Sequence, residues 1–444
     1  MLGNPQNTRL ACYLVATTLL IFLYCQLRNT HYRLHTTSPF DGRVTTPKLS
    51  KDDLMLAVTK VARGDDFDDT SIQELCEAQR WDDTVVFSCH NLIGGIGNIR
   101  QEILHCIRYA IDAGAGIIIP VINKRSDNKL SNLTSGTASM NYLFDEERFL
   151  SRIQNACPQM PIHRDVNDLK LLGPVEKTEV FNVEKLPHWP LIPASTRARV
   201  EELKGREGQI TLVPFERVWR YYRICYDSVD VANSFGNLLP LREDVYRLAA
   251  IILYELSSKY DFPIDQFYNT AKPALNSFLG VHLRTSNDML PFWLTYEDQV
   301  AYYLSRICSS SAISSLPVIY VASGNATSIR KFSEELQKMP SPKSVLTKRD
   351  ILSGDTLQEL DNLTWDQQAL VDLLVLSRGA YFIGMADSSF AWLISHGRRR
   401  FSSGGTCQIS KGFWKSKIWG TAFRDEYSDL MGNHGYGWED HMWP

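Results

Sequence analysis

The stretch Phe278-Leu-Gly-Val-His-Leu-Arg284 constrains the fold of this chain more than any other. It is apolar and uncharged as far as Val281, carries a β-branched residue, and reads as a buried strand. It ends on His282 and Arg284, two residues apart, so both side chains leave the strand on one face. The polar loop Thr285-Ser-Asn-Asp288 follows. In open α/β sheets ligands sit beyond the carboxyl ends of the strands. A guanidinium held there is a fork of donors suited to phosphate or carboxylate. The alternative is a structural ion pair at Arg284, with His282 as a core residue.

Other segments supply the rest of such a sheet. Thr84–His90 reads as a strand, Asn91-Leu-Ile-Gly-Gly-Ile-Gly-Asn98 as a glycine loop, Ile99–Ala113 as a helix and Gly116–Val121 as the next strand. This is a βαβ unit. It lacks the dinucleotide fingerprint, because Arg100 stands where the third glycine belongs, and it lacks the Gly-Lys-Ser/Thr of a phosphate loop. Gly95, Ile96 and Gly97 still let a ligand approach the backbone. Asn98 reads as a helix N-cap or a ligand contact. Further on, Thr295–Cys308, Ser328–Met339 and Asp366–Gly379 are helical, and Pro317–Ser323 and Ala380–Gly384 are strands, which gives a second doubly wound lobe. Ser388 and Ser389 open the following helix. They read as a diphosphate cradle on free backbone N–H groups, or as a plain N-cap.

The 444 residues carry a formal net charge of −3, which argues against a general nucleic-acid binder. At 44% hydrophobic, the composition supports a sizeable core. Leu10–Leu27 is uncharged and flanked by Arg9 and Arg28, and with no clear small-x-small cleavage site after it, it reads as a membrane-spanning signal-anchor, the alternative being a cleaved signal peptide. The expected organisation is a cytoplasmic tail (1–9), the anchor (10–27), a polar stem (28–80), a first Rossmann-like lobe (81–272) and a second lobe with an aromatic tail (273–444). The tail, from Gly412 onward, is expected to pack on the lobes or to rim a carbohydrate site. Sequons at Asn132, Asn325 and Asn362 suit a lumenal location. Of the seven cysteines after the anchor some should pair, and the odd count leaves at least one free or intermolecular. Asp66-Phe-Asp68 has the spacing of a metal-binding pair in sugar transferases but lies in a solvated acidic run. His163-Arg-Asp165 lacks the partners of a kinase loop and reads as surface.

The glycine loop Gly94-Gly-Ile-Gly-Asn98, the Gly280-Val-His-Leu-Arg284 strand end, and Val371-Asp372 with Phe382-Ile-Gly384 and Ser388-Ser-Phe390 together resemble the GDP-fucose protein O-fucosyltransferase superfamily. The resemblance covers roughly residues 84–121 and 278–398. It implies a GT-B-like fold of two facing lobes and an inverting transfer without a metal or other cofactor. It further implies Arg284 on the donor phosphate and Asn98 near donor and acceptor as the catalytic residues. Asp372 is expected on the guanine, and Ser388, Ser389 and Phe390 on the nucleotide. Some members carry an acidic general base in the glycine loop, where this chain has Gly95. Glu102, one helical turn beyond Asn98, Asn98 with a water, and the acceptor itself remain as alternatives.

The expected activity is fucose transfer from GDP-fucose to a protein or glycan hydroxyl. The expected location is the Golgi or endoplasmic reticulum, with the catalytic part lumenal. Alternatives are another nucleotide sugar, a small-molecule acceptor, or a non-catalytic sugar-binding protein on the same scaffold.

Overall fold

The computed structural model describes residues 50–63, 67–183, 192–216, 222–268, 270–407, 420–432 and 438–444. The expected anchor Leu10–Leu27 lies outside the described residues, as does Asp66. Among the described residues no helix is long and apolar enough to cross a membrane.

The folded body begins before Trp81. Helices α1 (Lys51–Arg63) and α2 (Thr70–Glu77) already belong to it. Ile72 and Cys76 lie one turn apart on α2, are fully buried, and dock it. Cys76 is also bonded to Cys157. A segment of mostly polar composition thus folds because its few apolar positions share one face.

The first lobe is built on β1 (Asp82–Cys89), α3 (Ile96–Ala113), β2 (Ala115–Ile118), β3 (Ile162–His163), β4 (Val175–Lys177) and β5 (Ile210–Phe215). These strands form a parallel sheet in the order β3-β2-β1-β5-β4. Every residue of β2 and β5 is buried, which is why they read as unbroken apolar runs. Gly114 ends α3 at φ +68, where a Cβ would meet the Arg80 carbonyl oxygen at 1.9 Å. Only glycine can make that turn.

Helix α4 (Glu243–Tyr260) follows. A division at residue 272 would assign it to the first lobe, but it packs on α1 and on a helix of the second. That lobe comprises β6 (Leu279–His282), α5 (Tyr296–Ser309), β7 (Val318–Ala322), α6 (Ala326–Gln337), β8 (Ser344–Leu346), α7 (Trp365–Leu376), β9 (Tyr381–Met385), α8 (Ser389–Arg399), β10 (Thr421–Arg424) and β11 (Ser428–Met431). The sheet runs β8-β7-β6-β9-β11-β10, parallel except where β10 pairs with β11. It is α7 that α4 covers.

One apolar core runs through both lobes, from Ile72 to Trp443, and smaller clusters fill the outer faces of the sheets. The end of the aromatic tail packs on α3. Arg100 donates to the carbonyls of Trp443 and Pro444 at 2.8 and 2.7 Å, and Gln101 holds Trp443 by both its N–H and its carbonyl at 3.0 Å. Disulfides Cys89–Cys106 and Cys225–Cys407 join Cys76–Cys157, and Cys308 is bonded as well, so the odd count leaves none of the seven free.

The Cys76–Cys157 bond spans a sequence separation of 81. Replacing both residues by alanine should lower the unfolding free energy by about 2–4 kcal/mol, measured by chemical denaturation. An unchanged midpoint would show that α2 docks without the bond.

Candidate active site

A cleft of about 1380 Å³ opens between the lobes. Its walls come from segments beyond the carboxyl ends of β1, β6, β7, β8 and β9, as the topology of doubly wound sheets requires. Gly95, Ile96, Asn98, His282, Arg284, Asp372, Ser388, Ser389 and Phe390 all line it.

Gly97 lies behind the wall. A Cβ there would sit 2.6 Å from the carbonyl carbon and oxygen of Ser389, so α3 and α8 meet backbone to backbone at this point. Both helices begin at the cleft. The N-cap of α3 is Gly95, in an extended conformation with no side-chain cap, and that of α8 is Ser388, also without one. The N-cap reading of Asn98 is therefore corrected: it is the third residue of α3. Its amide packs under Gly94, where a Cβ would fall 2.7 Å from Nδ2. Its Oδ1 is buried without a hydrogen-bond partner. Two helix N-termini at one cleft bring unsatisfied N–H groups and positive dipole ends together, an arrangement suited to an anion.

Arg284 lies just past the end of β6. Gln299 grips its backbone on both sides, accepting from its N–H at 2.9 Å and donating to its carbonyl at 2.8 Å. The guanidinium donates to Ser286 Oγ at 2.8 Å and Asp288 Oδ1 at 2.7 Å, and lies 5.4 Å from the Trp293 ring centre. Arg284 is thus ion-paired and at the same time part of the cleft wall. Asp288 also accepts from Arg125 at 2.9 Å, and Arg125 reaches Asp366 at 3.2 Å and stacks 5.0 Å from Trp365. This buried chain of alternating charge ties the first lobe to the second. Burial pushes the Asp366 carboxyl up to about 6, against the pull of Arg125. Asp288 moves the other way: its hydrogen bond to Arg284 and the charges of Arg284 and Arg125 outweigh burial and lower it.

His282 is buried, its ring 4.8 Å from that of Phe390. Burial, and then the Arg284 charge, push it down to about 3, so it is neutral. Asp372 accepts from Tyr320 and Lys348.

Glu102 is buried and does not line the cleft, which removes it as a base. Asn132 and Asn362 are exposed, the latter at the cleft mouth. Asn325 is half-buried and caps α6, accepting from Ser328 N–H at 3.1 Å while its amide donates to the Thr285 carbonyl at 3.3 Å. Asp68 accepts the Thr70 N–H at the start of α2. Among the described residues no His, Cys, Asp or Glu cluster forms a metal-ligand set.

Sequence reasoning missed Arg125, Lys348, Tyr320, Trp293, Trp365 and Asp366 as parts of this site. Each is a lone residue on an ordinary loop, strand or helix start, with no spacing to mark it.

The fold and cleft define a two-lobed α/β protein with an anion-favouring site between its lobes. Residues 85–401 match the family model described as GDP-fucose protein O-fucosyltransferase. The chain belongs to that family, and membership supports a glycosyltransferase. No curated protein matches it significantly by sequence. Among solved structures, POFUT1 in complex with GDP-fucose is similar, with 15% identity, 73% of this chain and 96% of that chain covered, and a TM-score of 0.40. A variant of Arabidopsis thaliana FUT1 in complex with GDP gives 11%, 83%, 80% and 0.40. NodZ alpha-1,6-fucosyltransferase soaked with GDP-fucose gives 15%, 72%, 92% and 0.36. These likenesses are remote, and the family rests on the sequence match.

Two outcomes are expected. Gly97→Ala should push α3 and α8 apart and destabilise the fold by about 1–3 kcal/mol, seen as a lower denaturation midpoint. His105, His282 and His396 are all buried and pushed down to about 3, chiefly by burial. Their imidazoles stay neutral when folded, while an unfolded chain takes protons near pH 6.5. The stability they contribute is therefore lost as pH falls below about 6.5. Histidine NMR signals of these three should hold their neutral-form positions down to pH 5, and titration of His282 near 6.5 would contradict its burial.

Proposed function

We propose that the chain transfers fucose from GDP-fucose to a hydroxyl of a protein or glycan acceptor, with inversion and without a divalent metal. The observation that carries this reading is the meeting of two helix N-termini with Arg284 in one interlobe cleft. The N–H groups of α3 and α8 and the Arg284 guanidinium are suited to the diphosphate. When the bond between the sugar's anomeric carbon and the diphosphate oxygen breaks, negative charge grows on that oxygen, and fixed donors there lower the barrier. The acceptor oxygen forms the new bond from the opposite face while its proton passes through a relaying water to solvent, and GDP departs as the leaving group. Asn98, with its unpaired buried Oδ1, is the residue proposed to orient the acceptor or a relaying water. Asp372 is proposed to meet the guanine. Catalysis is proposed to take place in the lumen of the Golgi or endoplasmic reticulum, behind an N-terminal membrane anchor.

In titration calorimetry, GDP should bind and UDP should not. With GDP-fucose as donor, Arg284→Ala should lower turnover by about 10²-fold or more, and a chelator should leave wild-type turnover intact. Full activity of Arg284→Ala would remove Arg284 from the chemistry, and loss of activity on chelation would refute the metal-free part.

A further inference from the structure

One carboxylate in the cleft wall is held from two sides. Asp372 projects from α7 and is nearly buried. Its Oδ1 accepts the Tyr320 hydroxyl at 2.7 Å and its Oδ2 accepts Lys348 Nζ at 2.5 Å. Tyr320 lies on β7 and is fully buried, while Lys348 follows β8 and is tied down again by the Gln368 carbonyl at 3.1 Å. Burial, reinforced by Asp372, raises the Tyr320 phenol well above its ordinary range, so it keeps its proton and remains a donor. Lys348 and Asp372 both line the cleft.

A carboxylate offers about four lone-pair sites. The two donors engage one on each oxygen, and each oxygen retains another. Two acceptors side by side, in a plane fixed by separate elements, match a ligand edge with two adjacent donors. Among nucleobases that edge belongs to guanine, with its N1–H and 2-amino group. Adenine, cytosine and uracil each set an acceptor beside the donor, so one acceptor atom of the base would face an oxygen of the buried carboxylate with no proton between them. The Lys348 charge offsets the burial of Asp372.

We propose that Tyr320 and Lys348 are positioning residues for base selection: they clamp Asp372 in the orientation that reads the guanine donor pair. The proposal rests on the reading of the chain as a GDP-sugar transferase and names what makes that site choose its base. Tyr320 lies behind the cleft lining, and the Lys348 ammonium is engaged by Asp372 and the Gln368 carbonyl. They act through the carboxylate, which without them can rotate or pair elsewhere. A structural role alone would join β7, β8 and α7 and leave the choice of base unaffected.

The test compares GDP with IDP, which differs from it only in lacking the 2-amino group, by titration calorimetry on wild type, Tyr320→Phe, Lys348→Met and Lys348→Arg. A site whose buried acceptor is left unmatched rejects the analogue. Wild type should therefore favour GDP over IDP by about tenfold or more. Tyr320→Phe and Lys348→Met should each shrink that ratio about threefold or more, chiefly through weaker GDP binding, and Lys348→Arg should retain most of it. Variants at two different elements keep the test open if one fails to fold, which circular dichroism reports. Variants that weaken GDP and IDP by the same factor overturn the clamp, as does a wild type that binds the two equally. A wild type that binds no guanine nucleotide overturns the donor reading and the clamp with it.

Discussion

The contact of Gly97 with Ser389 is the constraint on which the rest of this molecule depends. The first turns of two helices approach to backbone distance beside this cleft, and a side chain at residue 97 would strike the carbonyl of Ser389. The approach brings the N-termini of α3 and α8, from different lobes, to one cavity. Neither N-cap has a side chain closing its N–H groups. A buried helix end left without caps is unfavourable unless water or a ligand satisfies it. The same close packing that fixes the two lobes thus leaves a site with a standing preference for negative charge. Fold and chemistry are coupled through a single missing methyl group.

A second coupling is electrostatic. Arg284, Asp288, Arg125 and Asp366 form a chain of alternating sign that crosses between the lobes, every member largely shielded from water. Removing such charges from solvent is expensive, and the pairs offset the expense only while each partner stays in place. Arg284 is consequently held in position before any ligand arrives, through Asp288 on its side chain and Gln299 on its backbone. A cation that need not be reorganised at the moment of reaction is worth more than a mobile one. The Trp293 and Trp365 rings against Arg284 and Arg125 add to the stiffness of the chain.

The parts of this design that were legible in sequence share a cause. β2, β5 and β7 are buried along their whole length, so their residues have to be apolar and the runs are unmistakable. Arg284, Ser388 and the glycine loop follow the apolar runs of β6, β9 and β1, and strand ends are where ligands gather. Asn98 was harder. An asparagine at a helix start suggests a cap, yet an extended glycine three residues earlier already serves, and only the three-dimensional turn shows it. Residues 70–77 read as stem because two buried positions in a polar octet leave a weak signal. Arg125 and Lys348 were illegible for a different reason. Their partners, Asp288, Asp366 and Asp372, are far away in the chain, and nothing local distinguishes a charge that will be buried from one that will be solvated.

The same geometry bears on the proton. The resemblance implies an acidic base in the glycine loop of some members, where this chain has Gly95, and one explanation for glycine here would be that nothing larger fits. Packing does not support it: a Cβ at 95 would meet no heavy atom within 4 Å, and its φ of −86 suits any residue. By contrast Gly94, at φ +110, and Gly97, against Ser389, are dictated by backbone and contact. The glycine at 95 therefore leaves open space in the cleft wall that the fold does not require, and with Glu102 buried away from the cleft, the adjoining α3 turn offers no carboxylate to replace it. What it does offer beside that space is the unpaired Asn98 oxygen, an acceptor that can orient a hydroxyl or a water but cannot keep its proton.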